Sequence, residues 1–385
     1  MWKLLGLKEK KINQKYKGVH QSATPEQFVA YLDELGRTVA KSENVDGMSL
    51  KIIYAISWVD FLSAHSRRAT NTLHQRTQYP PADHATGTNC RPDFTAVVEQ
   101  PQSRLSFETL SDPPKSYTRV KKKRLEPGEI PWSLLETTGE IRSKGTSEVD
   151  SLHQSISYTA YLLQMRPDLI AVVGIHVDNQ SKTFKIIFCN ANCAHHTESI
   201  KWGSSTARPL LYAYITHLYR PYTDPTIERI IRTLRTQKDP GIENDIQDKN
   251  KKIVDVTFTI TTPSQKYDNC RIYPVGNAFE RRTTVFRTAK GDIIKEQYID
   301  IDRRFREGPI LGHVHHSGTF PGVVRISSHE EVDLSKGIPK GKIKTRLVML
   351  DQGVPFVEAK TPLEALTVAY DLLEGNAPRR KHSFC

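Results

Sequence analysis

The sequence predicts an α+β protein with a helical N-terminal segment, a central α/β region and a C-terminal region of antiparallel strands. Three observations predict this. An apolar stripe at helical spacing, Phe28, Tyr31, Leu32 and Leu35, follows a helix-start signal at Thr24-Pro25-Glu26-Gln27. Strand-like runs flank a single helix between residues 91 and 189. Beyond a charged break at 236–251, strict alternation of Val254, Val256, Phe258 and Ile260 opens a set of strands interrupted by one short helix.

Each element has a local reason. Residues 1–20 are polar and basic and read as a tail. Thr24 is the expected N-cap, Pro25 fits the first helical position, and Gln27 reaches back as in a capping box. A second helix is expected over 50–64, where Ile52, Ile53, Ile56, Val59 and Phe61 form a wide apolar face. Residues 66–89 are polar, with Pro80-Pro81, and read as a loop. RPDFTAVVE from Arg91 reads as a turn and a strand. A polar insertion near 100–129 follows, with Pro113-Pro114 inside it. Then come a strand over 134–143, a helix over 147–165, and strands over 169–177 and 183–189 joined by a polar turn. Two helices are expected over 203–235, one built on Leu210, Leu211, Tyr214 and Leu218, the next on Ile227, Ile230, Ile231 and Leu234. Asp239-Pro240-Gly241 marks the best boundary. The expected organisation is a helical region at 1–89, an α/β domain at 90–236, and a third region at 252–385.

Composition narrows the class. A chain of 385 residues with 37% apolar and 25% charged residues can bury a sizeable core. No run of 18 apolar residues occurs, and the start MWKLLGLKEKK lacks a small-residue cleavage site, so neither a membrane span nor a secretion signal is expected. Five scattered cysteines, an odd number, argue for reduced thiols and a cytoplasmic or nuclear setting. Cys189, Cys193, His195 and His196 cluster as CNANCAHH, but a structural zinc site wants two paired ligand sets, so incidental thiols at a strand end are expected and no metal is assigned. The formal charge of +12 admits a nucleic-acid partner. The basic residues are mixed with acids, however, which favours an ordinary solvated surface. The KKKR run at 121–124 is the densest and has the form of a nuclear import signal.

The C-terminal region carries the first chemical constellation. The run IIKEQYIDID holds one lysine, Lys295, in an apolar strand. Glu307 leads a short helix with Ile310, Leu311 and Val314 at helical spacing, and two strands follow in PGVVRI and RLVML. The text REGPILGHVH, FPGVVRI and TRLVMLDQGVPFVEAKTPLEALTVAYDLLEG resembles the fungal-type protein kinase family over roughly 252–375. The resemblance implies a kinase N-lobe in which Lys295 holds the ATP phosphates and Glu307 on a short αC helix holds the lysine. Gly276 would occupy the phosphate-loop position, Asp351 and Gly353 the hinge, and 361–374 the next helix, with an exposed apolar face. ATP and Mg²⁺ would be the cofactors and proteins the substrates or partners. No HRD and no DFG string occurs in the 385 residues. The expectation is therefore a kinase-like chain cut off before its C-lobe and catalytically inactive. A non-catalytic binding or regulatory module is the alternative.

The central region carries the second constellation: Asp93 after Pro92, Glu140, Arg142 two residues on, and Gln154 with Tyr158 on the helix. That pattern is similar to the PD-(D/E)XK nuclease fold, including the QxxxY helix of its RecB-like branch. The resemblance implies Asp93 and Glu140 as ligands of a divalent metal, with a lysine beside the attacking water. Arg142 stands where that lysine belongs, and Lys144 lies two residues further on the same strand face. Since arginine does not deprotonate at ordinary pH, a degenerate nuclease is the second alternative. The bland reading is that Asp93 and Glu140 pair with Arg91 or Arg142.

Overall fold

The computed structural model describes residues 23–42, 49–54, 92–99, 132–142, 145–235, 252–276, 278–316, 318–319, 323–334, 340–351, 361 and 366. The tail, the insertion with its KKKR run, Lys144, Gly353, Cys90, Cys385 and nearly all of the predicted helix at 361–374 lie outside them.

The described residues form an α+β fold of two sheets with helices between and around them. The first part runs α1 (Pro25–Ser42), β1 (Ser49–Tyr54), β2 (Phe94–Glu99), β3 (Thr137–Arg142), α2 (Glu148–Met165), β4 (Ala171–Asp178), β5 (Thr183–Asn190), β6 (Ala194–His196), β7 (Ile200–Lys201) and α3 (Ala207–Tyr219). Strand order in its sheet is β1-β2-β3-β4-β5-β6, with β7 also on β5. β1, β2 and β3 pair antiparallel, and β3 pairs parallel with β4 across the α2 crossover.

Local chemistry explains the helix starts. Thr24 N–H donates to Gln27 Oε1 at 2.8 Å and Gln27 N–H donates to Thr24 Oγ1 at 3.3 Å, the reciprocal box expected from the sequence. Ser147 caps α2 by accepting from Asp150 N–H at 3.0 Å. The expected helix at 50–64 is corrected in its first part: residues 49–54 are strand β1, six register pairs along β2, and 55–64 lie outside the described residues. Side-chain alternation on β4 sends Val173, Ile175 and Val177 to the α1–α3 face, with Phe28, Leu32, Trp202 and Tyr214, and Val172 to the α2 face. Gly139 is glycine because a Cβ there would lie 2.0 Å from the Phe94 ring.

The second sheet comprises β8 (Ile227–Arg235), β9 (Lys252–Thr261), β10 (Lys266–Val275), β11 (Thr284–Arg287), β12 (Ile293–Asp300), β13 (Ile326–Val332) and β14 (Lys342–Met349), with α4 (Glu307–Val314) between β12 and β13. Its order is β13-β14-β12-β11-β10-β9-β8, every pairing antiparallel. The helix expected on Ile227, Ile230, Ile231 and Leu234 is instead β8, which pairs with β9 along nine residues. Three β-branched isoleucines and a threonine suit a pleated surface better than a helix. β8 thus precedes the 236–251 break yet belongs to the second sheet.

Helix α2 lies between the sheets. Tyr158, Leu162 and Leu163 share one core with Trp132, Leu135 and Val172 on one side and Phe258, Ile272, Phe286, Ile294 and Val348 on the other. Each such side chain contributes about 1.5–3 kcal/mol on burial. The layers are therefore α1 with α3, the first sheet, α2, the second sheet, and α4.

Buried ion pairs fasten these layers. Arg166, just past α2, reaches Glu136 at 2.7 Å and Asp168 at 2.9 Å, and Arg229 of β8 reaches Glu136 at 2.6 Å. Arg282 donates to the Leu163 and Arg166 carbonyls at 2.7 and 2.8 Å. Lys344 pairs with Asp224 and Glu296, and Arg346 joins Glu296 to Glu330. Burial pushes Asp168 up, but the Arg166 and Arg229 charges outweigh it and hold the carboxyl below its usual value. None of the described helices is long and apolar enough to cross a membrane.

Candidate functional site

The first candidate site sits on the outer face of the second sheet. Along β12, Ile294, Glu296 and Tyr298 turn inward and are buried, which sends Lys295 and Gln297 to the face under α4. Lys295 Nζ donates to both oxygens of Glu307, at 2.8 and 2.7 Å, and Gln297 Nε2 lies 3.3 Å from one of them. Glu307 opens α4, where a negative charge is favoured by the helix dipole. The helix approaches closely because Gly308 has no side chain: a Cβ there would meet the His329 Cβ at 2.7 Å. Pro309 is tolerated in the first turn, where its missing N–H has no intrahelical partner. Lys295 and Glu307 are both half-buried.

The other residues predicted for this site are placed as follows. Gly276 follows β10; its N–H donates to the Thr283 carbonyl and its own carbonyl accepts from Gln164 Nε2 on α2, both at 2.7 Å. The β10–β11 turn is thus tied to α2 by Gln164 and Arg282. Asp351 follows β14 and accepts from the Arg325 N–H at 2.7 Å and its guanidinium at 2.6 Å. These hydrogen bonds hold the Asp351 carboxyl below the usual carboxylate range.

The second candidate site lies where β2, β3 and β4 meet the start of α2. Asp93 precedes β2, and its Oδ2 accepts the Ile141 N–H at 2.7 Å. Glu140 on β3 is buried, and its Oε2 has no hydrogen-bond partner. Burial, reinforced by the Asp93 charge, pushes Glu140 up to about 9; burial also pushes Asp93 up to about 6 against the pull of the Ile141 N–H. Two carboxyls therefore share a confined space in which both cannot comfortably ionise. Arg142 does not neutralise them: its guanidinium pairs with Asp178 at 2.9 Å and donates to the Thr146 carbonyl at 2.9 Å. The bland pairing of Glu140 with Arg142 is thereby corrected. Gln154 Nε2 donates to the Tyr158 hydroxyl at 2.6 Å.

Sequence reasoning missed His176. It stands opposite Glu140 in the parallel β3–β4 register, with Nε2 3.0 Å from Ser151 Oγ and Nδ1 unpartnered. Burial lowers it to about 4. The signal available was a histidine and an aspartate two apart in GIHVD, hence on one strand face. Of the cysteine cluster, Cys189 is buried in the core between the sheets. Cys193 lies in the loop before β6 with its Sγ 3.1 Å from His195 Nε2.

Asp93 and Glu140 offer hard carboxylate oxygens, one of them buried and unpartnered, of the type a divalent cation takes, but among the described residues no group of three or more His, Cys, Asp or Glu side chains is arranged to hold a metal ion. Comparison with family models, with curated proteins and with solved structures finds no match.

Proposed function

We propose that the C-terminal sheet and α4 form the nucleotide-binding lobe of a kinase-like protein of the fungal type, binding ATP with Mg²⁺. The observation that carries this reading is the Lys295–Glu307 ion pair joining β12 to the helix between β12 and β13. Strands β10, β11, β12, β14 and β13 are successive antiparallel neighbours beside the short helix α4, which supports the reading. In such a lobe the lysine neutralises phosphate oxygens and the glutamate fixes its position. Phosphoryl transfer is not assigned to this chain, because its 385 residues contain neither an HRD nor a DFG string. The function is nucleotide binding with a regulatory or scaffolding role toward a protein partner, in the cytoplasm or nucleus. A fluorescent ATP analogue tests it: Lys295→Ala should weaken binding by about tenfold or more, as expected for loss of a charge-assisted phosphate contact. Equal affinity in the variant, or no binding by the wild type, sinks the reading.

A second reading is favoured by the unpartnered Glu140 oxygen. Asp93 and Glu140 would hold Mg²⁺ or Mn²⁺ as in PD-(D/E)XK nucleases, and the cation would supply an activated water and charge neutralisation at a phosphodiester. With Arg142 turned to Asp178, the general-base position has no lysine among the described residues. Activity is therefore expected to be weak: slow Mn²⁺-dependent nicking of labelled DNA, abolished in Glu140→Ala. Cleavage unchanged in that variant would point to a contaminant and end this reading.

A further inference from the structure

A cavity of about 240 Å³ opens between the start of α4, the β10–β11 turn and strands β12, β13 and β14. Its wall carries Arg281, Arg303 and Arg306 together with Glu307, Glu330 and Glu331. Every one of these glutamates already has a cation: Glu307 has Lys295, Glu330 has Arg346, and Glu331 has Arg306. Arg303 donates to the Phe305 carbonyl, and neither it nor Arg281 has a carboxylate partner among the described residues. Two uncompensated guanidiniums therefore face a concave space, where low-dielectric walls concentrate their field. The α4 cap residue, Arg306, makes no side-chain cap bond, so the N–H groups of Glu307 and Gly308 at this end add to the positive potential, Pro309 supplying none.

We propose that this cavity binds a phosphate group, as the free ion or as a small phosphate ester. Guanidinium forks match the geometry of phosphate oxygens. The volume is below the ~300 Å³ at which pockets for drug-sized ligands begin, which suits a compact anion rather than a whole nucleotide. Glu307 forms part of the wall, so an anion held there also steadies the start of α4 and, with it, the glutamate that positions Lys295. That coupling rests on the nucleotide-lobe reading; the anion site does not.

Orthophosphate is titrated by calorimetry against a chloride control of equal ionic strength, and glycerol phosphate is titrated in parallel. The wild type should bind orthophosphate, while the double variant Arg281→Ala/Arg303→Ala should lose about tenfold or more in affinity. Both arginines are exposed, so the double variant should keep its circular dichroism spectrum; if it does not, the single variant Arg281→Gln replaces it. Tighter binding of orthophosphate assigns the site to the free ion, and tighter binding of the ester assigns it to the ester. Undiminished affinity in the arginine variants, or no binding by the wild type, overturns the proposal. Saturating phosphate should also raise affinity for the ATP analogue in the wild type but not in the double variant. If no nucleotide binds at all, the nucleotide-lobe reading fails while the phosphate titration stands or falls by itself.

Discussion

Arg166→Ala is expected to destabilise the protein by about 3–5 kcal/mol, the range for removing one partner of a buried ion pair. Its side chain is 2% exposed and lies between Glu136 and Asp168, which are 4% and 8% exposed. It also donates to the Leu135 carbonyl. Truncation leaves the Asp168 carboxylate, among the described residues, with Arg229 at 4.0 Å as its remaining cation, while Glu136 keeps Arg229 at 2.6 Å. The damage therefore falls mainly on Asp168. In the wild type that carboxyl is held below its usual value, so its contribution is present above the unfolded pKa and fades as acid protonates it. Without the guanidinium, burial acts on it against the weaker pull of Arg229, and the variant should lose least where the carboxyl can be protonated. Urea melts at pH 7 and pH 5 read both effects: a large loss at pH 7 that narrows at pH 5. A midpoint within error of the wild type at pH 7 would show that the Arg166 network contributes nothing net.

Glu140→Gln should have the opposite sign, raising stability at neutral pH. The folded-state value of about 9 stands well above the ordinary carboxyl value of 4.5, so the native state holds a proton that the unfolded chain releases. Stability from this group is complete below the unfolded pKa and is lost as pH rises through the folded one. By pH 7, which lies between the two values and well above the unfolded one, the penalty is on the order of 3–4 kcal/mol, at ~1.4 kcal/mol per unit. The amide removes both that slope and the repulsion from Asp93. For a chain of this size the gain corresponds to a rise in Tm of a few degrees. Thermal melts from pH 5 to pH 9 should show the two proteins converging in acid and separating in base. Under the metal reading, Mn²⁺ should stabilise the wild type and not the variant. A variant less stable than the wild type throughout the range would show that Glu140 is instead paired within the fold.

The parts that could be read in the sequence are those where local chemistry decides. The Thr24–Gln27 box, the α2 span and the Lys295 strand followed by the Glu307 helix all stand where capping and periodicity put them. Misread segments were short apolar runs whose spacing suits both periods. Ile227, Ile230, Ile231 and Leu234 trace a helical stripe, yet β9 offered that segment a pairing edge that only the tertiary fold reveals. The same holds for β1. In the candidate sites, Lys295 with Glu307 and Asp93 with Glu140 were legible as residue types at plausible stations. That Arg142 turns to Asp178, and that His176 faces Glu140, depends on strand register, which no local signal encodes.

The position of α2 has a practical consequence for anyone dissecting this molecule. Because both sheets lean on the same helix, a fragment cut at the charged stretch before Lys252 would lose β8 and bare Phe258, Ile294 and Val348 to water. What looks in the primary sequence like a convenient place for scissors is a seam that the second sheet crosses, and isolated halves would expose apolar surface prone to aggregation.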